Sequence, residues 1–275
     1  MVPAKYPWGV QPQSIDDCVW KTPEHGRNCD AVAACGRKTG RQILFGHILT
    51  RTTVGSPHSV TRFKLMDDMV IRAMAKWPNV PVVYGWLALD RRGQWSIKGT
   101  ASAASAGVAA EFEPVTNPKL IDFIGRNYAR DEQGCWYFQN GPQRVYVKLA
   151  YTPLVYRIAS AHPLSFETHT AAPCASLQSA WMDEAGNLLL LSEHGPGLLL
   201  DRDLPRGLEA LSYADGHALD EERLLALIEE GDDAAGVYFN TGAASLPLTL
   251  LRSEDAPRRL GYVREPQPPA PQSHG

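Results

Sequence analysis

The sequence lacks the short signatures that announce common chemistries. H-E-x-x-H, G-x-S-x-G and G-x-G-x-x-G are all absent, which removes the usual zinc-protease, hydrolase-elbow and dinucleotide fingerprints. Long apolar runs are missing too. The best, Ile43 to Leu49 (ILFGHIL), is far too short to cross a bilayer, and the N-terminus has no short apolar core of a secretory signal. Cysteine is scarce and unpaired in spacing: Cys18, Cys29, Cys35, Cys135 and Cys174 form no disulfide framework, so a reducing, cytoplasmic setting is expected. A surplus of positive charge is also lacking. The net charge is −3, and the nine Lys/Arg against four Asp/Glu of residues 1–65 leave an acidic remainder. Such a body offers no broad face to neutralise phosphates, which argues against duplex nucleic acid as a partner. No membrane partner is expected either.

What the chain does have is enough apolar content, 44% of 275 residues, to fill a sizeable core. Residues 1–65 mix Gly, basic and small residues without sustained periodicity and are expected to be poorly ordered, an extension from a misassigned start. At Met66 the pattern changes: MDDMVIRAMAKWPNVP opens with acids suited to a helix start and stops before Pro78. Residues 253–275, ending in REPQPPAPQSHG, are expected to form a proline-rich disordered tail.

Between these ends the sequence echoes itself. LALDRRGQW (Leu87 to Trp95) matches AWMDEAGNL (Ala180 to Leu188), each with a D-x-x-G turn between strands. KLIDFI (Lys119 to Ile124) is set against RLLALI (Arg223 to Ile228), both on helices with start signals. WYFQNGPQRVYVKL (Trp136 to Leu149) matches VYFNTGAASLPLTL (Val237 to Leu250). The expected fold is therefore α+β, with two related hairpin-helix-hairpin halves, antiparallel sheets and packed helices. Residues 66–160 would form the first half and 161–252 the second.

Asn140-Gly141 is a strong hairpin signal, and alternation places Tyr137, Gln139, Arg144, Tyr146 and Lys148 on the polar side of the first copy. Aromatic and guanidinium groups on one sheet face suit an anionic ligand, a peptide or a protein partner. Arg126 and Arg130, four apart on an expected helix, could meet one ligand. The candidate binding residues are thus Arg126, Arg130, Tyr137, Gln139, Arg144 and Tyr146. Each also has a plainer reading, as part of a solvated ladder or helix face.

Glu193 and His194 in SEHGPG, with Asp201 and Asp203 following, are candidate acid/base groups, although the stretch reads equally as a hairpin turn. Cys18, Cys29 and Cys35 with His25 and His47 lack the close ligand pairs of a structural zinc site. Gly36 to Gly40 (GRKTG) departs from the P-loop pattern. Cys135 has no base beside it and reads as a packing residue. No metal and no cofactor is expected.

The stretches KWPNVPVVYGWLALDRRGQW, LIDFIGRNYARDEQGCWYFQNGPQRVYVKLAYTPLVYRI and WMDEAGNLLLLSEHGPG resemble a proteobacterial family of cytoplasmic proteins of unknown function, whose members begin near Met66. More distantly, the second stretch is similar to a repeated-motif α+β family with a proposed signalling role. Neither resemblance brings a catalytic residue. The function expected is a ligand- or protein-binding module with a regulatory role. The alternative is a hydrolase or other cofactor-free enzyme with a site between the two halves, built on His194, Glu193 or Asp201.

Overall fold

Turn chemistry sets the strand order. The computed structural model describes residues 66–99, 112–230 and 234–269. The expectations for residues 1–65, including the cysteine-histidine group and GRKTG, lie outside the described residues, as do residues 270–275 of the expected tail. Asp90 Oδ1 accepts the backbone N–H groups of Arg92 and Gln94 at 2.8 and 2.7 Å, and Gly93 takes φ +78°, so the chain reverses between β1 (Val83–Leu89) and β2 (Trp95–Lys98). A side-chain oxygen that satisfies two turn amides, next to a residue with no Cβ, is a self-sufficient reversal. Asp183 and Gly186 repeat it between β9 (Leu177–Met182) and β10 (Leu188–Ser192).

The first sheet adds β3 (Phe112–Pro114), β4 (Tyr128–Arg130), β5 (Trp136–Asn140) and β6 (Gln143–Leu149), in the order β3-β2-β1-β6-β5-β4. The second adds β7 (Leu154–Ala161), β8 (Leu164–Thr168), β11 (Gly195–Leu199), β12 (Leu211–Tyr213), β13 (Val237–Asn240) and β14 (Ser245–Leu250), in the order β12-β13-β14-β9-β10-β11-β7-β8. Both sheets are mixed, where antiparallel sheets were expected: β1 runs parallel to β6, β9 to β14 and β11 to β7. Each of these pairs is joined through several intervening elements, with helices among them for β1–β6 and β9–β14 and strands alone for β7–β11. Such a long connection can return a strand in the same direction, which no short hairpin turn can do.

Similar pairings occur within each sheet. Leu89 pairs with Trp95 and with Leu149, and Met182 pairs with Leu188 and with Leu250. Phe138 lies between Tyr128 and Val145, and Phe239 between Leu211 and Leu246.

Helix α1 (Asp68–Lys76) precedes the first sheet, and α2 (Pro118–Arg126) lies between β3 and β4. Asn117 Oδ1 accepts from Lys119 N and Leu120 N at the start of α2, with Pro118 in the first turn, a combination that satisfies orphan amides and presets φ. Leu120 and Ile124 are buried, and Phe123 meets Phe138 edge to face at 5.4 Å. In the second half, α3 (Leu204–Leu208) follows a 3-10 turn at Asp201–Asp203, and α4 (Glu221–Glu230) lies between β12 and β13. KLIDFI lies on α2, between β3 and β4, and RLLALI on α4, between β12 and β13, while the short α3 precedes β12.

Two boundaries move. The expected break at 160/161 cuts β7, which pairs wholly within the second sheet. Residues 253–269 are not a free tail: α5 (Ala256–Leu260) forms there, and the segment binds both sheets. Ser253 N donates to Glu184, Val263 N to the Gly134 carbonyl and Leu149 N to the Arg264 carbonyl. A Pro in the first turn and Gly261 at φ +69° just past the end delimit α5, and the buried Ala256 and Tyr262 anchor it. One apolar cluster runs through Leu87, Phe138 and Val147 of the first sheet and Met182, Leu190 and Phe239 of the second. Among the described residues no helix is long and apolar enough to cross a membrane.

Candidate functional site

The hairpin β5–β6 brings three of the expected residues together. Tyr137 and Tyr146 are cross-strand partners, and their rings meet at 6.0 Å and 71°. The Arg144 guanidinium sits 4.0 Å from the centre of the Tyr137 ring. Tyr146 Oη donates to Asp131 Oδ2 at 2.9 Å, and from β1 Tyr84 stacks on Tyr146 at 4.7 Å and 14°. The patch is already packed. Tyr137 and Tyr146 are only 7% and 8% exposed, where alternation alone suggested a solvated ladder. Burial works to lower the Arg144 pKa, but Tyr146, Tyr137 and Asp131 beside it more than offset that and hold the charge. The phenol of Tyr146 is pushed up, chiefly by burial.

Gln139 faces the same way as Arg144 but is 2% exposed. Its Nε2 donates to the Gly141 carbonyl at 3.0 Å, while Oε1 has no partner. Cys135 lies beside Tyr84 and Asp131, and burial, then Asp131, raises its thiol pKa. A thiol kept protonated is a poor nucleophile.

Arg126 and Arg130 do not act as a pair on one helix. Helix α2 ends at Arg126, Asn127 caps it, and Arg130 is an exposed residue of β4. The buried Tyr128, which pairs with Phe138 in β4 and donates to the Pro153 carbonyl at 3.0 Å, turns the segment from helix to strand. Arg126 instead binds Asp67, with Nε 3.2 Å from Oδ1, and Asp67 N donates to Asn127 Oδ1. These contacts tie the start of α1 to the end of α2. Lys148 is exposed and paired with Glu265 at 2.9 Å.

Among the acid/base candidates His194 and Glu193 meet, with Nε2 3.4 Å from Oε1, while Asp201 is engaged elsewhere by Arg92, and each has a structural partner. His194 Nε2 lies 2.9 Å from the Pro173 carbonyl. Glu193 accepts from Ala175 N and Ser176 N. Asp201 binds Arg92, with Nη2 2.8 Å from Oδ2, and that contact with the Arg92 guanidinium, first of all, lowers its carboxyl pKa. Nearby, Tyr156, Ser192 and Cys174 form a buried polar knot: Tyr156 Oη is 2.8 Å from Ser192 Oγ, and burial drives the Cys174 thiol up to about 12. Among the described residues no cluster of three or more His, Cys, Asp or Glu could hold a metal ion.

One site went unread in the sequence. An open cleft of about 560 Å³ is lined by Arg92, Gln94, Arg157, Leu200, Asp201 and Arg202. Its arginines are separated by 65 and 45 positions, and no spacing rule joins residues so far apart.

No curated protein matches the chain. Among solved structures it is similar to the crystal structure of a DUF1285 family protein from Silicibacter pomeroyi, with a TM-score of 0.39 and 13% identity, over 62% of this chain and 84% of that one. A family model described as "Protein of unknown function (DUF2946)" matches residues 66–267. That match spans well over half of the sequence, and the chain belongs to this family.

Proposed function

We propose that the protein is a cytoplasmic, non-enzymatic binding module, and that its partner docks on the outer face of the first sheet. The carrying observation is Trp86, which is 38% exposed on β1. It lies two residues beyond the Tyr84 that stacks on Tyr146, and on the opposite side of the strand from the buried Leu87. Trp, Tyr and Arg are the residues in which interface energy concentrates. Tyr84, Tyr137, Tyr146 and Arg144 are held by one another, so docking would cost little side-chain entropy. Cys135 and Cys174 are free thiols, which suits a reducing compartment.

The two halves are read as copies, and the shared register supports this. Residues common to both then serve the fold, and function belongs to what one half alone carries. At the register positions of Arg144 and Tyr146 the second half has Ser245 and Pro247. A regulatory role is part of this reading. The enzyme alternative is weaker because His194, Glu193 and Asp201 each have a structural partner.

The test uses affinity capture from cell extract with the full chain, beside Trp86→Ala and Arg144→Ala variants of verified melting temperature. Proteins captured by the wild type and lost from both variants support the face. Capture unchanged by both variants overturns it.

A further inference from the structure

The cleft between the β1–β2 turn and the segment after β11 shares no residue with the Tyr137–Arg144 face and is built differently. Three guanidiniums, from Arg92, Arg157 and Arg202, line it with a single carboxylate, Asp201. Its walls are fixed. Asp90 holds the Arg92–Gln94 turn. A Cβ on Gly93 would stand 2.6 Å from His169 Cβ, so the turn is pressed against the chain beyond β8. On the far side, Leu200 N donates to the Tyr156 carbonyl at 2.9 Å and Ile158 N to Asp203 Oδ2 at 3.0 Å. Arg157 is thus gripped through both of its chain neighbours.

Arg157 is the residue the fold leaves unexplained. Its Nε is buried and has no hydrogen-bond partner. Its register partner on β8 is Glu167, yet the two form no ion pair among the described residues. A buried guanidinium N–H without an acceptor costs desolvation energy. Arg92 is partly neutralised by Asp201, and Arg202 faces Asp203 only at 3.6 Å. Leucine 200 gives the cleft an apolar wall, and Gln94 an amide.

We infer that this cleft is a binding site for a small phosphomonoester. With Asp201 on Arg92 and Asp203 beside Arg202, three positive charges face two negative ones, and the cleft keeps a net positive charge, centred on Arg157, that an anion balances. Arg forks match phosphate oxygens in pairs. The volume falls in the range of small-ligand sites and leaves room for an organic group beyond the phosphate.

The experiment is thermal unfolding of the full chain in inorganic phosphate, in glycerol 2-phosphate and in succinate, each against chloride at matched ionic strength. A ligand that binds only the folded state raises the melting temperature in a saturable way. The expected result is a saturable rise with phosphate and a larger one with glycerol 2-phosphate. Arg157→Met should weaken the apparent affinity by about tenfold or more, and without phosphate it should melt no lower than the wild type, because it removes a half-buried guanidinium whose buried Nε has no hydrogen-bond partner. Arg202→Ala, at an exposed position, gives the same affinity test should Arg157→Met fold poorly. No rise above chloride, or a rise equal in wild type and both variants, overturns the site. A succinate effect larger than both phosphates overturns the ligand class.

Discussion

The Arg144 guanidinium carbon lies 4.0 Å from the centre of the Tyr137 ring, while Tyr137 meets Tyr146 edge to face. Charge, ring and ring are stacked across two strands, and Asp131 closes the set by accepting from Tyr146. Arg144→Ala removes a half-buried cation–π contact of about 0.5–2 kcal/mol and the packing of its stem on the ring. The melting temperature should fall by a few degrees. Arg144→Lys should recover only part of the loss, because an ammonium cannot lie flat on the ring. Thermal unfolding of the three proteins checks both statements, and a lysine variant as stable as wild type would mean that the planar stack contributes nothing.

Gly134 takes φ +83°, and a Cβ there would stand 2.6 Å from the Gly261 carbonyl oxygen. The obstacle is backbone, which cannot rotate away. Gly134→Ala therefore combines left-handed strain with displacement of the segment that carries α5. Gly261→Ala has similar strain at φ +69° but open space around the new methyl, so it should cost only the conformational part, about 1–2 kcal/mol. The larger loss should fall on Gly134→Ala, with faster proteolysis after residue 250 in that variant alone. Urea unfolding and limited proteolysis distinguish the two.

These elements show which parts of the structure local sequence can reveal. The D-x-x-G turns, the Asn140-Gly141 hairpin and the Asn117-Pro118 helix start are each decided within four or five residues, and all were readable. Parallel pairing of β1 with β6 was not, because alternation says which side a residue faces and nothing about the direction of its neighbour. Burial of Tyr146 escaped for the same reason: Tyr84, which covers it, arrives from a strand some sixty positions away. Proline in the C-terminal segment drew attention from the Pro257 and Gly261 that delimit α5. The Arg157 cleft depends wholly on tertiary contacts.

One apolar cluster crosses both sheets, so loss of packing on either side should be felt by the whole. Phe138→Ala and Phe239→Ala occupy matching register positions, are almost fully buried, and should each cost about 3–5 kcal/mol. Each should lower a single cooperative transition seen by both near- and far-ultraviolet circular dichroism. Two separate transitions in either variant would show that the sheets fold independently.

Alkaline pH should destabilise the fold through its buried thiol and phenols. Burial raises the Cys174 thiol pKa from 9.0 to about 12, with Ser192 opposing and Glu193 adding to the rise. Tyr156 and Tyr151 are raised from 10.0, first of all by burial. A folded pKa above the unfolded one means that the native state keeps a proton the unfolded state gives up. The resulting stability is complete below the unfolded pKa and is lost as pH rises through the folded value. The loss should therefore begin near pH 9 for Cys174 and near pH 10 for the tyrosines, and continue towards 12. Urea midpoints measured from neutral pH upward should decline from about pH 9, and Cys174→Ala should delay the onset by about one unit. The same protonated thiol should react slowly with iodoacetamide in the native protein at neutral pH and readily in urea. A midpoint that stays flat to pH 11, or fast native alkylation mapped to Cys174, would show that the thiol is not held in the buried knot with Tyr156 and Ser192.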